Sequence, residues 1–181
     1  MDKLEAFARA VDRVNEAVGR AVSWLTLAMV LTTFAVAVLR YGFDRGLVWL
    51  QESYVWMHGL VFMLGAGYTL RHDGHVRIDV FYRPAGLRYR AWVDLLGSLL
   101  LLMPLVLVLL YVSLPYVADS WSEREGSREA GGLPGLFLLK TAIPLFAGLV
   151  GLQGLSLAAK AVLALCGRPE LLTERGAADA R

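Results

Sequence analysis

The sequence predicts an all-α integral membrane protein: four transmembrane helices with both termini cytoplasmic, preceded by an amphipathic N-terminal interfacial helix. Three observations carry this. Apolar residues make up 57% of the 181 residues and charged residues only 19%, with a mean hydropathy of +0.53; a water-exposed surface needs more charge. The apolar residues are gathered into four runs, each near the ~20 residues a helix needs to cross a bilayer core. Lys and Arg are shared unevenly among the connections, which sets orientation. The net charge of +2 discriminates little, and no nucleic-acid partner is expected. The single cysteine, Cys166, excludes an internal disulfide. With only three histidines, neither a rich metal site nor a cofactor is expected.

Residues 1–20 read as the interfacial helix. Leu4, Phe7, Val11, Val14 and Val18 recur at three- and four-residue spacing, one face of a helix lying along the membrane. Acidic Asp2, Glu5, Asp12 and Glu16 are mixed with the basic residues, which a secretory signal would not be. Ala35-Val36-Ala37 resembles a cleavage site, but Tyr41 and Phe43 after Arg40 mark a membrane-interface end, so no cleavage is expected.

The four-helix membrane domain covers residues 21–165, with spans at about 21–39, 48–70, 92–116 and 136–165. Arg40, Gly42, Asp44, Arg45 and Gly46 make a tight connection after the first span. Trp49, Tyr54 and Trp56 crowd the start of the second and Tyr68 closes it, as aromatic belts do. Pro104 should kink the third span and free a carbonyl for a neighbouring helix to satisfy. A polar loop at 117–135 leads to the fourth span, where Gly148, Gly151, Gly154 and Ala158 form a small-residue packing stripe. Residues 166–181 form a polar tail. Thirteen Lys and Arg lie in the N-terminal segment, the middle connection and the C-terminal end, against five in the other two connections, so both termini are read as cytoplasmic.

The chain is organised around Tyr68–Tyr82, YTLRHDGHVRIDVFY, which packs Arg71, His72, Asp73, His75, Arg77 and Asp79 between two apolar runs. Nucleophilic catalysis needs a serine or cysteine beside a base, and this corner has neither. A metal site lacks a further ligand, and the arginines repel cations. The favoured reading is a docking corner: Asp73-Gly74 as a turn, Arg71 and Arg77 at phosphate level, and Asp73 or Asp79 paired with arginines.

Other polar residues sit in or near the spans. Glu52 reads as a proton- or ion-linked carboxylate or, preferably, one paired with a basic group or polar backbone of a neighbouring helix or subunit. Lys140 can snorkel at the outer rim, Gln153 can hydrogen-bond across the small-residue face, and Asp94 can stay hydrated. His58 could ligate haem, but bis-histidine ligation needs a partner at similar depth. His72 and His75 lie at the far end of the same span and the other spans have none. A hydrogen-bonded interior role is favoured for His58.

Arg40-Tyr41-Gly42-Phe43, Leu50-Gln51-Glu52 and GAGYTLRHDGHVRIDVFY at Gly65–Tyr82 form an ordered set. Trp121 with Arg124-Glu125-Gly126-Ser127, Gly132-Leu133-Pro134, Lys140, Ile143-Pro144-Leu145 and Leu152-Gln153-Gly154 continue it. On these pieces residues 20–160 resemble the small membrane subunit of the tripartite ATP-independent periplasmic (TRAP) transporters, DctQ-like, most like the mannitol or chloroaromatic branch. Arg128-Glu129 after Ser127 departs slightly from that branch. The resemblance implies a non-catalytic subunit that braces a large multi-span permease in the bacterial inner membrane. A periplasmic binding protein would deliver an organic anion, often a carboxylate, and a sodium gradient would drive uptake. On that reading Glu52, Arg71, Asp73, His75, Arg77, Asp79, Lys140 and Gln153 are interface or fold residues, in contact with partners and membrane lipids, and none touches substrate. Two readings compete. A cytochrome-like redox anchor on His58 would show a haem band, and a self-associating scaffold would crosslink only to itself.

Overall fold

The computed structural model describes residues 1–76, 82, 84–170 and 172. The described residues are helical, with no strand among them.

Helix α1 (Asp2–Phe43, 42 residues) is one unbroken element. At ~1.5 Å rise per residue it is about 63 Å long, roughly twice the ~30 Å hydrocarbon core. The predicted border between lead-in and span is therefore not a break in the helix. No proline interrupts it, and the buried stripe Ala8, Val11, Asn15, Gly19 and Val22 crosses the border at three- and four-residue steps. This stripe is not the one that hydropathy picks out. Of Leu4, Phe7, Val11, Val14 and Val18 only Val11 is buried; Leu4, Phe7 and Val14 are exposed. Small and polar residues face the neighbouring helices because they allow close approach and hydrogen bonding, which turns the larger apolar ones outward.

α1 ends at Asp44, in the left-handed region at φ 54°, with Arg45 N–H donating to Leu39 O at 2.9 Å. Helix α2 (Val48–Arg71, 24 residues) then packs along α1. Gly19 receives the Tyr68 ring and Gly67 the Asn15 amide, so the helices touch where neither has a side chain in the way.

Helix α3 (Leu87–Ser122) contains a π-helical turn at Gly97–Leu102. Met103 N–H reaches back five residues to Ser98 O, and Pro104 follows in the first turn of the next α-helical piece. Pro104 has no N–H for the carbonyl four residues back. The wide turn shifts the hydrogen-bond ladder ahead of it; where a kink was expected at Pro104, a π turn stands before it.

Helix α4 (Leu136–Leu165) comes in two pieces, Leu136–Lys140 and Ala142–Leu165. It is the centre of the fold: α1, α2 and α3 all pack against it. A Cβ on Gly151 would stand 2.8 Å from Val106 Cγ1, and one on Gly154 2.6 Å from Leu102 Cδ2. The small-residue stripe is thus a seam with α3 inside this chain. Gly148 faces open space and takes no part. A compact core of Ala66, Val106, Ala147 and Val150 sits where α2, α3 and α4 meet.

Among the described residues α1, α3 and α4 are long and apolar enough to cross a membrane. α2 is long enough, but Gln51, Glu52, His58, its glycines and its aromatic belt dilute its apolar character. Trp24, Phe34 and Leu101 are each more than two-thirds exposed (72%, 68% and 74%). Water would not tolerate faces of that kind, but lipid does.

Candidate interface and tethering sites

The polar residues gather at the two ends of the bundle. At one end, α1 is tied to α4. Gln153 Nε2 donates to Asp12 Oδ1 at 3.0 Å, Ser156 Oγ donates to the same oxygen at 2.9 Å, and Lys160 ion-pairs with Oδ2. Asn15 Nδ2 donates to Gln153 Oε1 at 2.9 Å. Asn15 and Ser156 are fully buried and Gln153 is 1% exposed. Buried polar groups are costly to leave unpaired, and although Asn15 Oδ1 has no partner, the bonds from Asn15 Nδ2, Gln153, Ser156 and Lys160 fix how α1 is turned against α4. Gln153 bonds to α1, not across the small-residue seam, which faces α3.

The charged corner joins the same end. Arg71 pairs with Glu16 and donates to Asp12 O at 3.1 Å; His72 Nε2 lies 2.9 Å from Glu16 Oε2, and Arg20 closes the set at 2.7 Å. The Asp73-Gly74 turn forms, with Asp73 at φ 55° and Gly74 N–H donating to Thr69 O at 2.9 Å. His75 is exposed, its Nε2 3.4 Å from Ala66 O. Arg77 and Asp79 lie outside the described residues. Asp94 differs from expectation: it is 7% exposed and accepts the Tyr82 hydroxyl at 2.9 Å. The turn of α3 that carries it faces α4, not the surface.

At the other end, Glu52 holds down the loop between α3 and α4. One of its oxygens accepts the Ser127 hydroxyl and the other accepts Leu133 N–H at 2.6 Å, while Ser127 N–H donates to Leu133 O at 3.1 Å. Its partners are a hydroxyl and a backbone N–H of this chain's own loop, where a basic group or the backbone of a neighbouring helix or subunit was expected. Lys140 points inward instead of snorkelling: it pairs with Glu125 and stands 4.1 Å from the Tyr116 ring centroid. Ser120 Oγ donates to Glu125 Oε2 at 2.7 Å. Hydrogen bonds from Lys140 and Ser120 hold the Glu125 carboxyl below the usual carboxylate range, against a smaller upward push from burial. Trp121 Nε1 donates to Thr141 Oγ1 at 2.9 Å and its indole meets the Phe137 ring edge-on at 4.6 Å.

His58 is not interior. It is exposed, with no hydrogen-bond partner among the described residues, on the rim of a groove between α1 and α2 of about 410 Å³. The remaining lining is Met29, Val30, Thr33, Tyr54 and Val55.

Sequence reasoning missed Asp12, Asn15, Glu16 and Ser156 as structural ties. The available signal was the spacing of Ala8, Val11, Asn15 and Gly19, a small-and-polar stripe in a segment otherwise read by its hydrophobes.

Residues 9–164 match the family model described as tripartite ATP-independent periplasmic transporters, DctQ component. A relative in Vibrio cholerae, the C4-dicarboxylate TRAP transporter small permease protein DctQ, is 33% identical over 63 residues, 35% of this chain and 27% of that protein. The match thus spans about a quarter of that relative's length. No solved structure matches. The family match covers most of the chain, and apolar spans are present to carry it, so the chain belongs to the DctQ-component family of the tripartite ATP-independent periplasmic transporters and is a membrane protein.

Proposed function

We propose that this chain is a non-catalytic brace for a large, multi-span permease in a sodium-driven uptake system. A periplasmic binding protein supplies that system with an organic anion, most simply a carboxylate. The chain crosses the bacterial inner membrane four times, α2 included, with both termini in the cytoplasm. The thirteen-to-five division of Lys and Arg favours that orientation.

The observation that carries the reading is where the polar side chains are spent. Asp12, Gln153, Lys160, Glu52, Glu125 and Lys140 each end in a helix-to-helix or helix-to-loop tie at one end of the bundle. Next to the Asp12 network, the core where α2, α3 and α4 meet is Ala66, Val106, Ala147 and Val150, and the further buried polar side chains of α3 include the small hydroxyls of Ser98 and Ser113. That core offers a solute or ion no charged ligand. Glu52, Arg71, Lys140 and Gln153 then serve the fold of the brace. Asp73 and His75, with Arg77 and Asp79, belong to a corner offered to the partner and to lipid phosphates.

Reconstitution tests this. Vesicles with this chain alone should show no solute uptake. Vesicles with this chain, the large permease and the binding protein should take up a carboxylate only under an inward sodium gradient. Uptake by the isolated chain would overturn the proposal.

A further inference from the structure

Two outward faces of this protein differ in chemistry. The α3 face shows Leu100, Leu101, Leu105, Leu107, Val108 and Val112, all exposed and aliphatic, and one polar-tipped side chain, exposed Tyr111, set towards the end of the predicted span 92–116, from where its hydroxyl can reach the interface. The α1–α2 face shows exposed Val55 and Phe62 but also His58 and Thr33. Thr33 Oγ1 is satisfied within its own helix by Met29 O at 2.8 Å. His58 is not satisfied by anything among the described residues.

The depth of His58 makes this decisive. It is the eleventh of the 24 residues of α2, and across the groove stands Val30, the middle of the apolar run 21–39 of α1. With α2 crossing the membrane as proposed and 21–39 as the span of α1, the imidazole lies near mid-bilayer. A neutral imidazole carries one donor and one acceptor. Hydrocarbon supplies neither, and an unmatched polar group there is costly. Polar side chains at this depth face protein or water, not acyl chains.

We propose that the groove between α1 and α2 receives a transmembrane helix of the large permease, one that offers a hydrogen-bonding side chain or an open backbone carbonyl to His58. Val30 and Val55 flank the ring and supply the apolar contact. The complementarity is that of a hydrogen-bonding group in hydrocarbon, which selects protein over lipid, and the α3 face is left to lipid. This surface rests on the transporter-subunit reading above.

The test uses the full chain co-expressed with its permease. A photoreactive benzoylphenylalanine is placed at Val55 on the groove or at Leu107 on α3, and the membranes are irradiated before purification. The expected result is an adduct with the permease from position 55 and none from 107. Permease adducts from 107 alone overturn the surface, as does a dimer of this chain from 55, or no protein adduct from 55 while the two subunits copurify. Loss of copurification in the unmodified pair overturns the subunit reading itself, and the surface with it. A second measurement isolates the ring. His58→Phe keeps the size and removes the hydrogen bonds, and should weaken permease binding about 3- to 15-fold, the value of one intramembrane hydrogen bond. His58→Gln restores a donor and an acceptor and should recover most of it. Equal binding by all three also overturns the surface. A haem band that His58→Phe abolishes overturns it in favour of a redox site.

Discussion

Replacing Asp12 with alanine should cost this protein more than any other single polar change. The substitution removes the acceptor of Gln153 Nε2 and Ser156 Oγ and the counter-ion of Lys160 at once. Ser156 keeps a second partner, Ala8 O at 3.3 Å, so its loss is partial. Gln153 is 1% exposed and cannot turn its amide to solvent. An orphaned buried donor costs about 1–3 kcal/mol. Breaking a fully buried ion pair costs about 3–5 kcal/mol, but the Lys160 side chain is 14% exposed, and its long stem can carry the ammonium towards the interface. Hydrogen bonds between helices in lipid average nearer 0.6 kcal/mol each. Weighing these, the expected loss is about 2–4 kcal/mol, mostly from Gln153 and Lys160. Asp12→Asn keeps an acceptor and removes only the charge, so it should lose about half as much. Unfolding by SDS in mixed micelles, followed by circular dichroism, measures both, and a double-mutant cycle with Lys160→Met isolates the ion pair. A loss below about 0.5 kcal/mol for Asp12→Ala, the range of an ordinary surface change, would refute the claim that this network orients α1.

Glu52→Ala should free the loop without unfolding the helices, because Leu133 N–H and the Ser127 hydroxyl lose their shared acceptor; faster protease cleavage within 123–135, at unchanged helicity, checks it. Gly154→Leu should separate α3 from α4, since even a Cβ would meet Leu102 Cδ2 at 2.6 Å; a large drop in folded yield is expected, whereas Gly148→Leu, in open space, should be silent. Glu125 has a depressed folded pKa, so its contribution is present above the unfolded value, about 4.3, and is lost as pH falls through the lower folded one. Trp121 emission should accordingly stay constant from neutral pH down to that range and shift only below it. Replacing Arg77 and Asp79 together by alanine should weaken copurification of the large permease while leaving membrane insertion intact; unchanged recovery removes the corner from the interface.

The helices were legible because a bilayer allows few alternatives: runs of apolar residues bounded by aromatics and arginines have to be helical. The π turn before Pro104 was legible only as a disturbance, since proline states that one hydrogen bond is missing and not how the ladder recovers. Partners across the chain were the hard part. Gln153 announced a need for a hydrogen bond, but nothing in its neighbourhood pointed to Asp12, 141 residues earlier. The lead-in misled because its hydrophobes were the visible pattern, while the packing face was set by Ala8, Asn15 and Gly19. Lys140 and Asp94 misled in the same way: interfacial depth suggested hydration, and the side chains turned inward because Glu125 and Tyr82 were there to meet them.

The placement of the ties bears on how such a subunit can work. A component that moves during transport needs two arrangements of similar energy. Here α4 is tied to α1 through Asp12 at one end, and the loop entering it is tied to α2 through Glu52 at the other. Between these ties the contacts are Gly and Ala against Val and Leu, at distances that leave no room to slide. Shifting α4 by one turn would strand Gln153, Ser156 and Lys160 together, since all three converge on one carboxylate. That penalty, together with the repacking of the glycine seam, favours a single arrangement. A body so fixed suits the proposed role of a stationary reference for a moving neighbour, and His58, exposed with no hydrogen-bond partner among the described residues, is where that neighbour is proposed to dock.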